Sequence, residues 1–342
     1  MIRFVVESYT GPGPERLLKR SEDVADPKNG RCSVTPASLP ADPLWPRASE
    51  WFVPVSGTGP HTADLAIVGV PACRTSITPT HADTTPRAVR AALARYSSFA
   101  GSHDADLTTL GAIDLGDIPS PDGPAGELRV AAGLTQALDS CSLLIAVGGD
   151  NSITYSVANA LFAGRLGECG LITLDAHHDL RDGENNGSPV RRLIDAGLPG
   201  DHVVQIGIAD FSNSAAYTRR ARDLGITVIP RAELYGAHAE AIVSRALDVA
   251  GRGGGPIYVD LDVDVCDRSA VPGCPSAAPG GISAYGLRRF AYLLARDPRV
   301  RALDITEIDA SIDAADGRTV RLAALLVLEA AAGLAARREL GL

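Results

Sequence analysis

Two acidic residues and a histidine follow an apolar run near the middle of the chain, in the stretch LDAHHDLRD. Asp175, His177 and Asp179 occupy alternate positions after the run GLITL, whereas His178 points elsewhere. Because alternate residues of a strand share a face, two carboxylates and an imidazole would lie together as ligands of a divalent cation. The alternative is a turn in which Asp175 caps a helix. We favour the cation because a buried strand end accepts ionisable groups only when they are paired.

A second acidic cluster, VDLDVDVCD, follows the run PIYV and carries Asp260, Asp262 and Asp264 with a period of two. Three carboxylates this close repel one another in a partly buried site unless a cation lies between them. A solvated acidic loop is the alternative. Together, the two clusters predict a site for two metal ions, because such a site needs bridging carboxylates from different strands.

The third cluster, DITEIDASID, supplies Asp304, Glu307, Asp309 and Asp313 after another apolar run. We predict that Glu307 faces the pocket and receives a cationic group of the substrate. An exposed acidic turn is the alternative for Asp304 and Asp313.

The donor set of these clusters, several carboxylates and one imidazole, favours Mn²⁺ over zinc, which prefers more nitrogen and sulfur ligands. Two such ions about 3.5 to 4 Å apart would bridge a water molecule and lower its pKa toward neutrality, so that it attacks as hydroxide. The clusters therefore predict hydrolysis with two Mn²⁺ ions per subunit.

The elements that must position these clusters are short strands alternating with helices. From Asp64 onward, runs such as LAIVGVP, SLLIAVGGD and HVVQIGIAD are rich in β-branched residues, as in strands buried on both faces of a parallel sheet. Stretches such as PRAVRAALARY and SAYGLRRFAYLLARD, which lie between the runs, have helical character. This alternation predicts one parallel sheet covered on both faces. Ligands bind such sheets beyond the carboxyl ends of the strands, where the acidic clusters fall.

Residues 1–60 differ from the rest of the chain. They are rich in Pro, Ser, Gly and charge and have only short apolar runs, so they cannot bury enough surface to form a core. We interpret them as an N-terminal extension, partly irregular, and residues 61–342 as a single catalytic domain.

Composition argues against several classes of partner. The 342-residue chain has a formal net charge of -9, whereas nucleic-acid binders need a basic surface, so we expect neither nucleic acid nor an acidic membrane surface. None of the six cysteines forms a CxxC pair, which favours reduced thiols. The first apolar run is too short for a signal peptide, and no window approaches the roughly 18 apolar residues of a membrane span. We expect a cytoplasmic protein that acts on a small molecule.

Three motifs, GGDNS, DAHHD and DVDVCDR with a later PGCPSAAPGG, resemble the ureohydrolase superfamily of arginases, agmatinases and formimidoylglutamases. The resemblance covers roughly residues 63–335 in the right order. It implies a three-layer α/β/α arginase-like fold with a central, mostly parallel sheet of about eight strands. The segments GGDNSI, NGSPVRRLID and QIGIADFSNSAAY are most similar to the formimidoylglutamases, the branch that hydrolyses N-formimino-L-glutamate to L-glutamate and formamide in histidine degradation.

Carried over residue by residue, the resemblance implies a set of metal ligands. The bridging ligands would be Asp175 and Asp262, one ion would be completed by Asp179 and Asn151, and the other by His177 and Asp264. Asn151 stands where most relatives have His, so we predict that its ion binds less tightly and that Asn151→His raises the affinity. Glu307 would pair with the cationic group of the substrate, and Asp179 would also hydrogen-bond the attacking hydroxide.

The loop DGENNGSPVRRL bears on the substrate. Arginases carry a histidine there as a proton shuttle, and this segment has none. Formiminoglutamate has two carboxylates, and the guanidinium fork of arginine suits carboxylates. The residues predicted to contact the substrate on this loop are Arg181, Asn186, Ser188, Arg191 and Arg192. The alternative for the last three is a surface helix with Ser188 at its N-cap and Pro189 at its first position.

The stretch GGDNSITYS leaves one question open. Asp150 is predicted to anchor the loop by hydrogen bonding, whereas Asn151 either contacts the metal through its amide oxygen or has a capping role. Two rival functions also remain: another ureohydrolase that acts on a guanidino acid (arginase-, guanidinobutyrase- or agmatinase-like), and a non-catalytic, metal-poor homologue. By resemblance, we expect a homo-oligomer, a trimer or a hexamer.

Overall fold

The computed structural model describes residues 42–55, 62–135 and 137–339. The helices of these segments are α1 Ala48–Trp51, α2 Thr85–Leu93, α3 Gly123–Leu134, α4 Ala137–Ser140, α5 Ile153–Leu161, α6 Pro189–Asp195, α7 Ala215–Asp223, α8 Ala239–Ala250, α9 Ala284–Ala295 and α10 Arg318–Glu339. The strands are β1 Val53–Pro54, β2 Ala63–Val70, β3 Phe99–Ala100, β4 Ala105–Asp106, β5 Ala112–Asp117, β6 Cys141–Gly148, β7 Gly170–Leu174, β8 Val203–Ile208, β9 Thr227–Pro230, β10 Ile257–Asp262 and β11 Val300–Thr306.

Nine of these strands form one sheet in the order β1-β5-β2-β6-β11-β10-β7-β8-β9. Every neighbouring pair in this sheet is parallel, while β3 and β4 form a small antiparallel pair. The predicted fold class is confirmed, and the strand beyond the expected eight is the two-residue edge strand β1. Because all strands of the sheet run the same way, the loops that follow them meet at one edge.

The sheet is buried on both faces, which is why its strands read as continuous apolar runs. Along β6, Leu143, Ile145 and Val147 face the larger core, beneath α2, α8, α9 and α10. Leu144 and Ala146 face the second core, which α3, α5, α6 and α7 cover. The three layers are therefore helices, sheet and helices.

Helix α10 is a core helix, although by length and composition it could cross a membrane. Its most apolar window, within Arg318–Arg338, has a mean hydropathy of 1.7, and 78% of that window is buried inside the protein. The expectation that no window approaches a membrane span was thus wrong for this helix. Its small residues, such as Ala323 and Ala324, are fully buried, which lets neighbouring helices approach closely.

Part of the predicted N-terminal extension packs on the sheet. Val53 pairs with Ile113 of β5, the Trp51 indole donates a hydrogen bond to the Leu110 carbonyl at 2.9 Å, and Phe52 is buried. The rest of the extension, residues 1–41 and 56–60, lies outside the described residues, as does residue 61, so the domain boundary stays a prediction. The five described cysteines are free thiols, and Cys32 lies outside that part of the chain.

Candidate metal centre and substrate cavity

Asp175, His177 and Asp264 form the nucleus of the candidate metal centre. Each offers one ligand atom, and these atoms lie within 4.8 Å of one another. His177 Nδ1 is 2.8 Å from Asp264 Oδ2 and 3.4 Å from Asp175 Oδ1. Asp175 Oδ2 is buried without a hydrogen-bond partner, and Asp264 Oδ2 makes no well-aligned hydrogen bond despite the nearby imidazole. Such buried oxygens beside an imidazole nitrogen fit a divalent cation.

Asp262 and Asp179 lie in the same acidic group. Asp262 ends β10, where its Oδ1 accepts a hydrogen bond from the Asp264 N–H at 2.8 Å. Burial, followed by the charges of Asp264 and Asp175, raises the pKa of Asp262 well above its usual range. Burial also raises the pKa of Asp179 to about 7. Carboxylates packed this closely need positive charge among them, so the residues present fit a pair of cations.

His177 lies between two of these acids, Asp175 and Asp264, whose charges favour its protonated form. Burial lowers the pKa of His177, but the charge of Asp264 and hydrogen bonds with Asp175 and Asp264 outweigh it and raise the pKa to about 12. A metal ligand must give up its proton. Binding of a cation at this imidazole should therefore release a proton.

The carboxylate of Asp264 also joins the segments that follow β7 and β10. Asp264 lies in a short 3-10 helix, Val263–Val265, and its Oδ1 accepts a hydrogen bond from the Ala176 N–H at 2.9 Å. Asp175 Oδ1 accepts from the His177 N–H at 2.6 Å. Asp175 and Asp264 thus each accept a backbone hydrogen bond through Oδ1, and Oδ2 of each remains available to a cation.

The Asn151 carboxamide is committed to a hydrogen-bond network. Its Nδ2 donates to Asp179 Oδ2 at 2.6 Å, and its Oδ1 lies 2.9 Å from the hydroxyls of both Thr154 and Thr306. The amide oxygen therefore faces away from Asp179, and an NH₂ group cannot ligate a cation. In this arrangement Asn151 orients Asp179, and its side chain does not cap α5, whose N-cap residue is Ser152; the ligand role of Asn151 stays a prediction.

A cavity of about 340 Å³ opens above the acidic group and is also lined by Glu307, Asn186 and Arg181. Glu307 Oε1 accepts hydrogen bonds from the Asn151 N–H at 2.8 Å and from Asn186 Nδ2 at 2.9 Å. These two bonds orient the carboxyl group at the cavity wall. Burial, followed by the charge of Asp150, raises the pKa of Glu307 to about 8, and a cationic group in the cavity would favour its ionised form.

Two of the acids at the site have left-handed backbone conformations. Asp179 has φ 53° and Glu307 has φ 63°, a region that residues other than glycine rarely occupy. Such conformations cluster at functional sites, where surrounding contacts hold them in place.

The residues predicted on the loop after β7 divide into two groups. Arg181 and Asn186 line the cavity, whereas Ser188, Arg191 and Arg192 do not. The Ser188 hydroxyl is buried and donates to the Asn185 carbonyl at 2.7 Å.

Arg191 and Arg192 each have another partner. Arg191 pairs with Asp195 and donates to the carbonyls of Arg181 and Gly183. Arg192 binds Glu127 at 2.7 and 3.1 Å and stacks on the Tyr155 ring at 3.6 Å. The helix alternative therefore describes this segment: α6 begins with Pro189, and Ser188 stands at its N-cap position without capping it through its side chain.

Other acids have structural partners. Asp150 accepts from the hydroxyls of Ser76 and Ser152, both at 2.5 Å, in agreement with its predicted anchoring role. Asp313 accepts from the N–H groups of Thr319 and Val320, both at 3.0 Å, at the start of α10. Asp304 is fully buried, so an exposed turn is excluded for it.

Sequence reasoning missed one wall of the cavity. Ser212, Ser214 and Tyr217, which follow β8, line the cavity opposite the acidic group. The polar run ADFSNS after an apolar strand could have indicated this wall, because the carboxyl ends of parallel strands meet at one edge. His178 was expected to point elsewhere and also borders the cavity; its buried Nδ1 lies 2.6 Å from Gln205 Oε1.

Comparisons with known proteins match this architecture. The model of the arginase family matches residues 63–333. The formimidoylglutamase of Halalkalibacterium halodurans is 35% identical over 291 residues, which are 82% of this chain and 90% of the relative. The structure of formimidoylglutamase from Bacillus subtilis has a TM-score of 0.81 at 30% identity and covers 88% of this chain and 95% of its own. Trypanosoma cruzi formiminoglutamase, solved with Mn²⁺, has a TM-score of 0.78 at 23% identity over 86% of this chain and 99% of its own; that identity supports a shared fold.

Proposed function

The chain belongs to the arginase family, and from this premise we propose that it hydrolyses N-formimino-L-glutamate with water to L-glutamate and formamide. One observation carries the proposal. A single cavity is lined by the acids Asp262 and Asp264 together with the oriented carboxyl group of Glu307 and the cation of Arg181. The metal ligands, the receptor for a formimino cation and the receptor for a carboxylate are thus present side by side.

Two Mn²⁺ ions are the proposed cofactor, in keeping with the manganese-containing relative. The residues that would hold them are Asp175, His177, Asp179, Asp262 and Asp264. When bound, such ions polarise the substrate and supply an activated water as nucleophile. With the Asn151 amide oxygen turned toward Thr154 and Thr306, one ion would have a ligand fewer, so the weaker of the two sites is proposed on the Asn151 side.

Glu307 orients the substrate in this proposal. Its Oε1 is taken by the Asn151 N–H and the Asn186 amide, which leaves Oε2 for the formimino cation. A charge-assisted hydrogen bond of this kind is stronger than a neutral one. The planar formimino group would therefore lie with its carbon toward the acidic group.

Asp179 is the proposed acceptor of the proton that the attacking water loses. The bond from Asn151 Nδ2 fixes its Oδ2 and so orients the carboxylate that would hydrogen-bond the attacking water. Asp179 accepts a proton from the water that attacks the formimino carbon. Asp179 then gives this proton to the glutamate nitrogen, which leaves as the amine when the carbon–nitrogen bond breaks.

Arg181 favours a substrate that carries carboxylates. Its side chain lines the cavity, and arginine binds carboxylates through two parallel hydrogen bonds. Agmatine, which has no carboxylate, would gain nothing from this contact. Arginine and guanidinobutyrate would gain one such contact, and formiminoglutamate offers two carboxylates.

The test is an activity panel on Mn²⁺-loaded protein with formiminoglutamate, arginine, agmatine and guanidinobutyrate, in which formamide and urea are measured separately. We expect formiminoglutamate to be preferred and formamide to be released. Urea as the main product would indicate another ureohydrolase, and a clear preference for agmatine would contradict the role of Arg181. Protein that binds no stoichiometric Mn²⁺ would be a metal-poor homologue.

We also propose a cytoplasmic location and a homo-oligomeric assembly, a trimer or a hexamer. The free thiols of the described cysteines are in keeping with a reducing compartment. The assembly rests on family resemblance alone, and measuring the mass of the protein in solution tests it.

A further inference from the structure

Part of the cavity wall is formed by the rim loop, residues 71–81, which joins β2 to a short 3-10 helix at Ala82–Thr84. Ile77 and Thr78 of this loop line the cavity. Side chains from the ends of four other strands bind it. These bonds are Cys73 and Arg74 N–H to Asp122 at 2.9 and 2.7 Å, Ser76 hydroxyl to Asp150 at 2.5 Å, Ile77 N–H to Asn186 at 3.0 Å, and His81 N–H to Asp309 at 2.8 Å.

Four side chains bind the rim loop, those of Asp122, Asp150, Asn186 and Asp309. Asn186 differs from the other three because its amide group also bonds Glu307. Its Oδ1 accepts from the Ile77 N–H, and its Nδ2 donates to Glu307 Oε1 at 2.9 Å. One planar amide therefore joins the rim loop to the carboxylate that receives the substrate cation. Asp122, Asp150 and Asp309 form no hydrogen bond to Glu307 in the described residues.

The chemistry of this link requires an amide. The Ile77 N–H can only donate, so it takes the amide oxygen, and the NH₂ group is then turned toward Glu307. An aspartate at this position would keep an acceptor for Ile77 but would set a carboxylate against the carboxylate of Glu307, and like charges that close repel. The two ends of the side chain thus have different and separable tasks.

We propose that Asn186 is a positioning residue that couples the rim loop to Glu307, so that the carboxylate stays aimed into the cavity while the loop is closed. This inference rests on the proposed function for the role of Glu307. Closing of the loop and orientation of the substrate receptor are then one event. A cation bound to Glu307 holds the rim loop in place through Asn186.

Trypsin cleavage at Arg74, an exposed residue of the rim loop, tests the coupling without any activity assay. Cleavage of a segment that opens transiently reports the population of the open form. In the full-length protein, Asn186→Ala should raise the rate of cleavage at Arg74 about fivefold, the factor that one ordinary net hydrogen bond represents. Glu307→Ala should raise it by a similar factor.

The double variant decides whether the two residues act together. When one residue acts through another, the second substitution adds nothing to the first, so Glu307→Ala should have no further effect in the Asn186→Ala protein. In a Ser76→Ala protein, which loses a rim anchor that does not bond Glu307, Glu307→Ala should keep its full effect. Equal, independent increases in both backgrounds, or no increase from Glu307→Ala alone, would overturn the proposal.

Kinetics on the amidine panel give the second readout. Asn186→Ala and the isosteric Asn186→Asp should both raise KM for the cationic substrate about tenfold, with a smaller change in kcat, because the lost contact orients bound substrate and transition state alike. A role in packing alone would be rescued by the aspartate, and that rescue would contradict the proposal. Should the wild-type protein hydrolyse no amidine, the proposed function fails while the proteolysis result still stands.

Discussion

Two layers of acidic residues lie one above the other on the same face of the sheet. The upper layer consists of Asp175, which follows β7, and Asp262, which ends β10 and lines the cavity. The lower layer, Asp260 and Asp304, consists of direct neighbours on β10 and β11, two residues earlier along each strand than Asp262 and Thr306. Residue type and spacing are the same, yet the layers are neutralised differently.

In the lower layer, burial favours a protonated acid. Both its acids are fully buried, and Asp304 accepts hydrogen bonds from Thr154 and Tyr258, each at 2.8 Å. Burial, followed by the charge of Asp304, raises the pKa of Asp260 well above its usual range. This shift favours a protonated Asp260, whereas the upper layer, in which Asp262 borders the cavity, can take up a cation.

The largest effect is expected from Asp262→Asn in the upper layer. Loss of a carboxylate that is proposed to hold both ions should abolish stoichiometric Mn²⁺ binding and reduce kcat/KM more than about 100-fold, since even an outer partner of a metal ligand can be worth that factor. Metal analysis and the amidine assay measure both. A variant that keeps two ions would show that Asp262 belongs, like Asp260, to the protonated layer.

Asp304→Ala should chiefly affect the stability of the fold. It removes the acceptor of the Tyr258 and Thr154 hydroxyls and leaves polar groups buried without partners, so we expect the free energy of unfolding to fall by about 3 kcal/mol. Urea unfolding measures this change. Tyr258→Phe, which removes one bond and keeps the packing, is the matched control and should cost about 1 kcal/mol.

Asn151→His is expected to strengthen the weaker ion of the upper layer. The imidazole supplies a nitrogen ligand in place of an amide that is turned toward Thr154 and Thr306, and Mn²⁺ titration should record a several-fold gain in affinity, about 1 kcal/mol. An unchanged affinity would mean that the position serves only to hold Asp179.

At about pH 4 and below, the smallest effect is expected from Asp260→Asn, because an amide resembles the neutral acid and can still donate to Asp304. The free energy of unfolding should change by less than about 1 kcal/mol. The pH dependence of the free energy of unfolding is a more sensitive test than its value at one pH. A carboxyl whose pKa is raised by folding binds extra protons in the native state, so its contribution to stability falls as the pH rises above about 4.

The Asp260→Asn protein should therefore gain stability relative to wild type between about pH 4 and the raised pKa of Asp260. Unfolding curves of the two proteins at a series of pH values measure the difference. Parallel curves would show that Asp260 is charged in the fold, which would remove the distinction between the layers.

Local patterns predicted the parts of this molecule that depend on neighbours in sequence. The buried strands and the acidic ends of β7 and β10 were evident because alternation and apolar runs are properties of a few consecutive residues. The spacing of Asp260 and Asp262 did not reveal which one reaches the cavity, because both point to the same face and only their depth in the sheet differs.

Long-range contacts account for the rest. Arg192 binds Glu127, 65 residues away, and Ile77 binds Asn186, 109 residues away. A sequence window contains one partner of each pair, so an arginine with a distant carboxylate resembles one that is free to bind substrate. The position of the rim loop likewise depends on distant residues, because side chains that follow four other strands bind it.

The left-handed conformations of Asp179 and Glu307 have a consequence for engineering. Glycine adopts φ values of 53° and 63° without penalty, whereas a larger residue there costs about 1 kcal/mol or more. A search for thermostable variants would therefore tend to replace these two positions with glycine and remove the carboxylates. Selection for activity and selection for heat resistance oppose each other at these residues.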